Sequence, residues 1–320
     1  MNIPEQFPRF VILTPVFNDW RCLETLLRHL DGDLRKHNAT ADILVVNDGS
    51  TEPTPGDLGQ DKLTGINSIK ILEMVCNLGH QRAIAVGLAY LADLPEDTTV
   101  VVMDSDGEDR PEDVLRLVRD LERQSSVDVV FAGRHRRSEA ALFRFGYAAY
   151  RLLHRLLTGV GIRFGNFSAI RVGALRQLLY QSSFWNHYAA AVVRSRLVYG
   201  VLPTSRGNRY QGKNKLNFSQ LMVHGFSALS VFSDIVSVRL LIFTLCLVIP
   251  GGIYTVLMYL AGRLAGPALL LIGLAAGVLV VSFILNVISL IAMRSAPSFI
   301  PARDTSEFIK SVNRLNPPPR

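Results

Sequence analysis

The chain has 320 residues, 49% apolar and 19% charged, with a formal net charge of +7. That length buries a full core in one large domain or two smaller ones, and the positive mean hydropathy excludes an ordinary wholly soluble composition, so part of the chain belongs in a membrane. Cys22, Cys76 and Cys246 are scattered with no C-x-x-C pair, which excludes a disulfide framework and a zinc site and fits a reducing compartment.

The opening MNIPEQFPRF lacks the basic-then-apolar pattern of a signal peptide, so the first domain is expected not to be secreted. Arg9 to Pro15 reads as a strand, and PVFND turns into a helix from about Trp20 to Leu34, with Leu23, Leu26, Leu27 and Leu30 at helical spacing. Ala41 to Val46 is a second strand ending in NDGST. There Asp48, Gly49 and Ser50 have the chemistry to hold a nucleoside, since a carboxylate accepts from a base N–H and glycine allows close approach; the same residues also build an ordinary turn. Ser68 to Met74 is the third strand, followed by the helix NLGHQRAIAVGLAYLAD with Gly79 near its start. His80 and Arg82 lie by that helix N-terminus, where His80 is read as a solvated residue.

The fourth strand starts at Val100 and gives way at once to acid in VVVMDSDGEDRPED. On a continuing strand Asp104 and Asp106 share a face, with Ser105 pointing away, so both reach one cation. Gly107 turns the chain, Glu108 and Asp109 add carboxylates, and Pro111 with Glu112 and Asp113 opens a helix that runs to about Arg123. Hard oxygen ligands of this kind suit Mg²⁺ or Mn²⁺ beside a nucleotide diphosphate; the bland alternative is a solvated acidic loop capping a helix. Val127 to Ala132 is the fifth strand. Strand and helix alternate five times, which predicts an α/β fold with a Rossmann-like, mostly parallel sheet and a nucleotide across its carboxyl edge.

Beyond residue 140, Phe143 to Leu157, with Arg144, Arg151, His154 and Arg155, reads as a helix in ordinary amphipathic packing. A basic cluster of Arg194, Arg196, Arg206, Arg209, Lys213 and Lys215 precedes Leu216 to Val238, whose mixed composition suits a helix lying in a membrane interface or a core helix. Leu240 to Leu260 and Ala268 to Met293 carry no charge and are each long enough to cross a bilayer, giving a two-helix transmembrane hairpin. Arg239, Arg294, Arg303, Lys310, Arg314 and Arg320 flank it outside, against Arg263 in the turn, so both ends are expected in the cytoplasm. Gly273 and Gly277 form a G-x-x-x-G that seats either the first span or a helix of another subunit, and Asn286 is expected to bond between helices. The basic residues are not interleaved with aromatics, so the charge points to anionic headgroups or lipid phosphates and not to nucleic acid.

PVFND, NDGS, NLGHQRAIAVGL, DSDGED-RPED and AGRHRR, in this order and spacing, resemble family 2 glycosyltransferases of the GT-A fold. The later RYQGKNKL and the two spans are similar to the polyprenyl-phosphate sugar transferases, the dolichol-phosphate mannose synthases and bactoprenol glucosyltransferases. The resemblance implies a nucleotide site at Pro15, Val16, Asn18, Asp19, Asp48, Asp104 and Ser105, with Asp19 in place of the usual Glu. It implies a metal on Asp104 and Asp106, with Glu108 at a position often held by Gln, and places Arg134 near the phosphates. Arg209 and Lys215 match the basic residues of an R-x-x-G-x-S-K segment that faces the lipid phosphate, with Asn214 at the Ser position.

One departure stands out: the subfamily's G-D-F-R is here Gly165-Asn166-Phe167-Ser168, without the carboxylate or the arginine. A phosphate acceptor is already an anion near pH 7 and needs little help from a base, whereas a hydroxyl acceptor needs one, so the missing acid fits a phosphate. The expected protein is thus a membrane-bound inverting glycosyltransferase. It uses Mg²⁺ or Mn²⁺, a UDP- or GDP-linked donor and a polyprenyl phosphate, and Asp106, Arg134, Arg209 and Lys215 carry the transfer. Its expected divisions are a cytoplasmic catalytic domain at 1–215, an amphipathic segment at 216–239, two spans at 240–293 and a basic cytoplasmic tail at 294–320. The location that follows is the cytoplasmic membrane. Transfer to a glycan or glycolipid hydroxyl, or sugar-nucleotide binding without turnover, are the rival readings.

Overall fold

The structure is a computed structural model that describes residues 7–56, 58, 63–134, 151–161, 164–212, 225–263, 266–295 and 305–315. The chain divides into two compact units, one of Met1–Ser138, Ile162–Val231 and Ile300–Arg320, the other of Glu139–Gly161 and Phe232–Phe299.

The first unit is built on one mixed sheet. Strands β1 (Phe10–Val16), β2 (Ala41–Asn47), β3 (Ile66–Met74) and β4 (Thr99–Val102) are parallel, with β1 between β2 and β4. All seven residues of β1 are buried, as a central strand covered on both faces requires. Helix α1 (Trp20–Lys36) buries Leu23, Leu26, Leu27, Leu30 and Leu34 at helical spacing. It shares one face of the sheet with α3 (Pro111–Arg123), which opens with Pro111 at N1 and with Glu112 and Asp113 in its first turn. The opposite face packs α2 (His80–Leu91).

Three strands depart from the simple alternation. β5 (Val129–Arg134) does not lie beside β4; β6 (Ser168–Arg171) inserts between them, antiparallel to both. After the short helices α4 (Val172–Leu178) and α5 (Tyr188–Arg194), β7 (Tyr199–Thr204) adds parallel to β5 at one edge. At the other edge β8 (Ile309–Leu315) pairs antiparallel with β3, giving the order β7-β5-β6-β4-β1-β2-β3-β8. The residues read as a basic tail therefore complete the sheet, in which four strand pairings are parallel and three, all involving β6 or β8, are antiparallel.

The second unit contains α6 (Ser233–Leu260) and α7 (Gly266–Ser295), which pack along one another. Among the described residues α6 alone is long and apolar enough to cross a membrane, by length and composition only, and little of it is buried. A Cβ built at Gly273 or Gly277 meets nothing within 4 Å, so that pair is not where the helices meet. Asn286 donates from Nδ2 to the Ser282 carbonyl at 2.9 Å, within its own helix and not between helices. Residues 151–158 are helical, and Leu152, Leu153 and Leu156 are exposed beside buried His154, which corrects the reading of ordinary packing. Arg239 donates to the Leu156 carbonyl at 2.7 Å and so caps that helix. Of the expected interfacial stretch, 216–224 lies outside the described residues and 225–230 is helical.

Candidate active site

The carboxyl ends of the central strands are where an open α/β sheet presents loops, and a pocket of about 160 Å³ opens there. Its lining comes from four pieces of chain: Pro15, Phe17 and Asp19 after β1, His80 at the start of α2, Asp104, Ser105 and Asp106 after β4, and Arg209 after β7.

β4 stops at Val102, so Asp104 and Asp106 are not on a continuing strand as expected. The loop nevertheless keeps the alternation: Ser105 is buried, whereas Asp104 and Asp106 stay partly open to the pocket. Asp109, buried, accepts from the Asp104 N–H at 3.0 Å and holds the turn. Asp106 uses both oxygens, Oδ1 accepting from the Glu108 N–H at 2.9 Å and Oδ2 from Arg209 Nη1 at 2.8 Å. Arg209 Nη2 also bonds Asp19 Oδ2, so one guanidinium joins two acids. Glu108 is paired with Arg206.

His80 was read as solvated, and its ring is 43% exposed, yet it belongs to the site: Nε2 lies 3.3 Å from Asp104 Oδ1 and 3.2 Å from the Asn166 amide. Loss of solvent around the ring works against its proton, but Asp104, Asp109 and Asp48 outweigh that and hold its pKa above the usual imidazole value. The signal for His80 in the sequence is its place directly after the NLG turn, whose Gly79 has φ 91°, at a helix start that faces the same strand ends. Phe17 was also missed, although it sits between expected site residues.

The other expected residues fare unevenly. Val16 is packed in the core. Asn18, at φ 49°, stitches two loops together: its N–H donates to Ser50 Oγ at 2.9 Å, and its Oδ1 accepts from the N–H groups of Thr51 and Glu52 at 2.9 and 3.1 Å. Asp48 is buried and is not one of the pocket's lining residues, its Oδ1 accepting from Leu78 N–H at 2.8 Å and its Oδ2 from Gly79 N–H at 3.0 Å. Burial raises the Asp48 pKa, against those two bonds and the nearby His80. Arg134 ends β5 with its side chain outside the described set, and Lys215 lies outside the described residues. Where the subfamily has an arginine, Ser168 is buried, donates to the Asn166 carbonyl at 2.9 Å and meets Tyr188 Oη at 2.9 Å.

Among the described residues no group of three or more His, Cys, Asp or Glu side chains is gathered closely enough to hold a metal ion. The donors still suit a hard divalent ion in kind: Asp19, Asp104 and Asp106 offer only oxygens to one pocket, and a cation, the Arg209 guanidinium, already bonds two of them.

Residues 11–179 match the family model described as Glycosyl transferase family 2. The chain is 28% identical over 152 residues to the uncharacterized glycosyltransferase YkcC of Bacillus subtilis, covering 48% of this chain and 44% of that protein. It is 24% identical over 213 residues to dodecaprenyl-phosphate galacturonate synthase of Rhizobium johnstonii, covering 64% and 58%. Both matches span less than two thirds of the relative's length. Glucosyl-3-phosphoglycerate synthase of Mycobacterium tuberculosis, solved with Mn²⁺, UDP-glucose and phosphoglyceric acid, shares the fold at TM-score 0.50 and 15% identity, over 72% of this chain and 80% of that one. The first unit is thus a mixed α/β sheet of GT-A-like architecture.

Proposed function

We propose that this chain, which belongs to glycosyl transferase family 2, moves a sugar from a UDP- or GDP-linked donor to a polyprenyl phosphate at a membrane surface. The observation that carries the reading is the meeting of Asp19, Asp104, Asp106 and Arg209 in one pocket at the carboxyl edge of the sheet, a place suited to a diphosphate and its counter-ions. The Rhizobium relative's name, which specifies a polyprenyl phosphate, supports the acceptor class.

A Mg²⁺ or Mn²⁺ held by Asp104 and Asp106, with Glu108 beside them, would neutralise the diphosphate as it leaves. Pro15, Val16, Asn18, Asp19, Asp48 and Ser105 form or support the nucleotide side. In this reading Arg134 would serve the donor phosphates, and Arg209 and Lys215 would draw the acceptor phosphate in by charge-assisted hydrogen bonds. An acceptor phosphate oxygen then forms its bond to the anomeric carbon from the face opposite the diphosphate, the sugar–diphosphate C–O bond breaks, and configuration inverts. The acceptor carries no proton that must be removed, which suits a site with the amide of Asn166 where the subfamily has a carboxylate.

In this reading α6 and α7 cross the cytoplasmic membrane as a hairpin, with the catalytic unit and both flanks in the cytoplasm, as the arginines outside the spans favour. Residues 225–232, just ahead of α6, lie at the interface in this reading, and Gly273 and Gly277 are open to a helix of a second copy.

The test is to incubate membranes containing the protein with a panel of radiolabelled nucleotide sugars and polyprenyl phosphate. Label entering a mild-acid-labile lipid is the expected result. Label in an acid-stable glycolipid or polymer assigns a hydroxyl acceptor instead, and binding without transfer assigns a scaffold. Full activity in Asp106→Ala refutes the site.

A further inference from the structure

The segment that follows β7 lies across the acidic loop as a strap. Gly207 N–H donates to the Glu108 carbonyl at 2.9 Å and Tyr210 N–H to the Asp106 carbonyl at 2.8 Å, while Tyr210 Oη meets His29 Nδ1 at 3.0 Å. Two glycines make this approach feasible. Gly107, at φ +90°, would place a Cβ 2.7 Å from the Tyr210 ring, and a Cβ on Gly207 would run into the Gly107 carbonyl oxygen. At the centre of the strap Arg209, 16% exposed, spans Asp19 and Asp106, and its Nε donates to the Gln211 carbonyl at 2.9 Å.

We infer that Arg209 is a resident counter-ion for the pocket, which a divalent cation must displace, so that cation entry opens the strap and releases the guanidinium toward an anionic substrate group. The inference rests on the proposed reading of Asp104 and Asp106 as cation ligands. Its physical ground is mutual exclusion. Arg209 Nη1 sits 2.8 Å from Asp106 Oδ2 while Oδ1 accepts from the Glu108 N–H, so the oxygen that faces the pocket's resident cation is already held by a positive charge. A divalent ion at roughly 2.0–2.6 Å from Oδ2 stands too close to the guanidinium for both cations to share it without strong repulsion. Without a metal, Asp19 and Asp106 would repel one another in a partly buried pocket, and Arg209 relieves that. The planar fork of arginine reaches both acids at once, which the single ammonium of lysine does not. Gly207 and Tyr210 flank Arg209 in the chain, so its departure from the acids strains the two backbone bonds of the strap.

The experiment uses the full chain in detergent, without donor, and titrates Mn²⁺ by the loss of the free-ion electron paramagnetic resonance signal. Arg209→Gln is expected to bind Mn²⁺ about tenfold more tightly than wild type, the low end of what one nearby charge does to an ionic equilibrium. Equal or weaker binding overturns the inference. Asp106→Ala, run alongside, separates the two failures: if it binds Mn²⁺ like wild type, the reading of the site itself is wrong. A second measurement needs no variant at position 209. Amide hydrogen exchange of wild type is expected to speed at least tenfold at Gly207 and Tyr210 when Mn²⁺ is added, and unchanged exchange at saturating Mn²⁺ also overturns the inference.

Discussion

Ser168 stands where the subfamily has an arginine, and its hydrogen bonds make a sharp test of how the chain absorbs that change. The hydroxyl has one proton and donates it to the Asn166 carbonyl, so the Tyr188 hydroxyl, fully buried, must be the donor in the 2.9 Å contact between the two. The two deletions are therefore unequal. Tyr188→Phe removes a donor and leaves Ser168 Oγ short of one bond, at a cost of about 1 kcal/mol. Ser168→Ala strands the buried tyrosine proton and takes the donor from the Asn166 carbonyl, at a cost of about 3 kcal/mol. At about 2–4 °C per kcal/mol for a unit of this size, the first lowers the melting temperature by roughly 2–4 °C and the second by roughly 6–12 °C. The double variant no longer strands the phenol and is expected to be at least as stable as Ser168→Ala alone, a coupling that a double-mutant cycle in thermal unfolding reads directly. If Tyr188→Phe costs as much as Ser168→Ala, or if the two effects simply add, the assigned direction of these bonds is wrong.

Other outcomes follow from the same geometry. Asp48→Ala leaves the Leu78 and Gly79 N–H groups without their carboxylate and is expected to cost about 2 kcal/mol, visible as a fall in melting temperature, whereas a residue used only for the nucleobase would change donor KM alone. His80→Ala is expected to leave the fold intact and to lower turnover by roughly 10–100-fold, the usual effect of removing a group that orients a ligand carboxylate; initial-rate assays check it. Gly107→Ala meets the Tyr210 ring and an unfavourable φ, and is expected to speed hydrogen exchange at the Tyr210 amide. The Cys22 thiol is pushed up to about 11 by burial and by Asp19, so at pH 8 only about 0.1% is thiolate. A maleimide at that pH should label exposed Cys76 and spare Cys22, and equal labelling would contradict the burial.

Much of the first unit is legible in its apolar runs, because strands covered on both faces need largely apolar stretches such as FVILTPV and TVVV. β6 and β8 escape that reading for a physical reason. SAIR is four residues with a polar and a charged end, and IKSVNRL lies at a sheet edge where polar side chains face water, so both look like loop or tail. The acids after β4 are recognised by residue type, but their partners are set by a segment about a hundred residues further on, which no local pattern foretells. Asp48 shows the converse: a turn rich in Asp, Gly and Ser offers the same carboxylate to a ligand or to neighbouring backbone N–H groups, and here two N–H groups take it. His80 and Asn166, 86 positions apart, meet only because β6 threads between β4 and β5.

Pairing of β8 with β3 has a bearing on biogenesis. The ribosome releases β1 to β7 well before β8, and the two long apolar helices are made in between. Until the final strand emerges, β3 presents an unprotected row of amides and carbonyls to whatever else is nascent nearby. Closure of that sheet edge therefore waits until both apolar helices have been synthesised, so the sheet of the first unit is completed only after the helices of the second have been made.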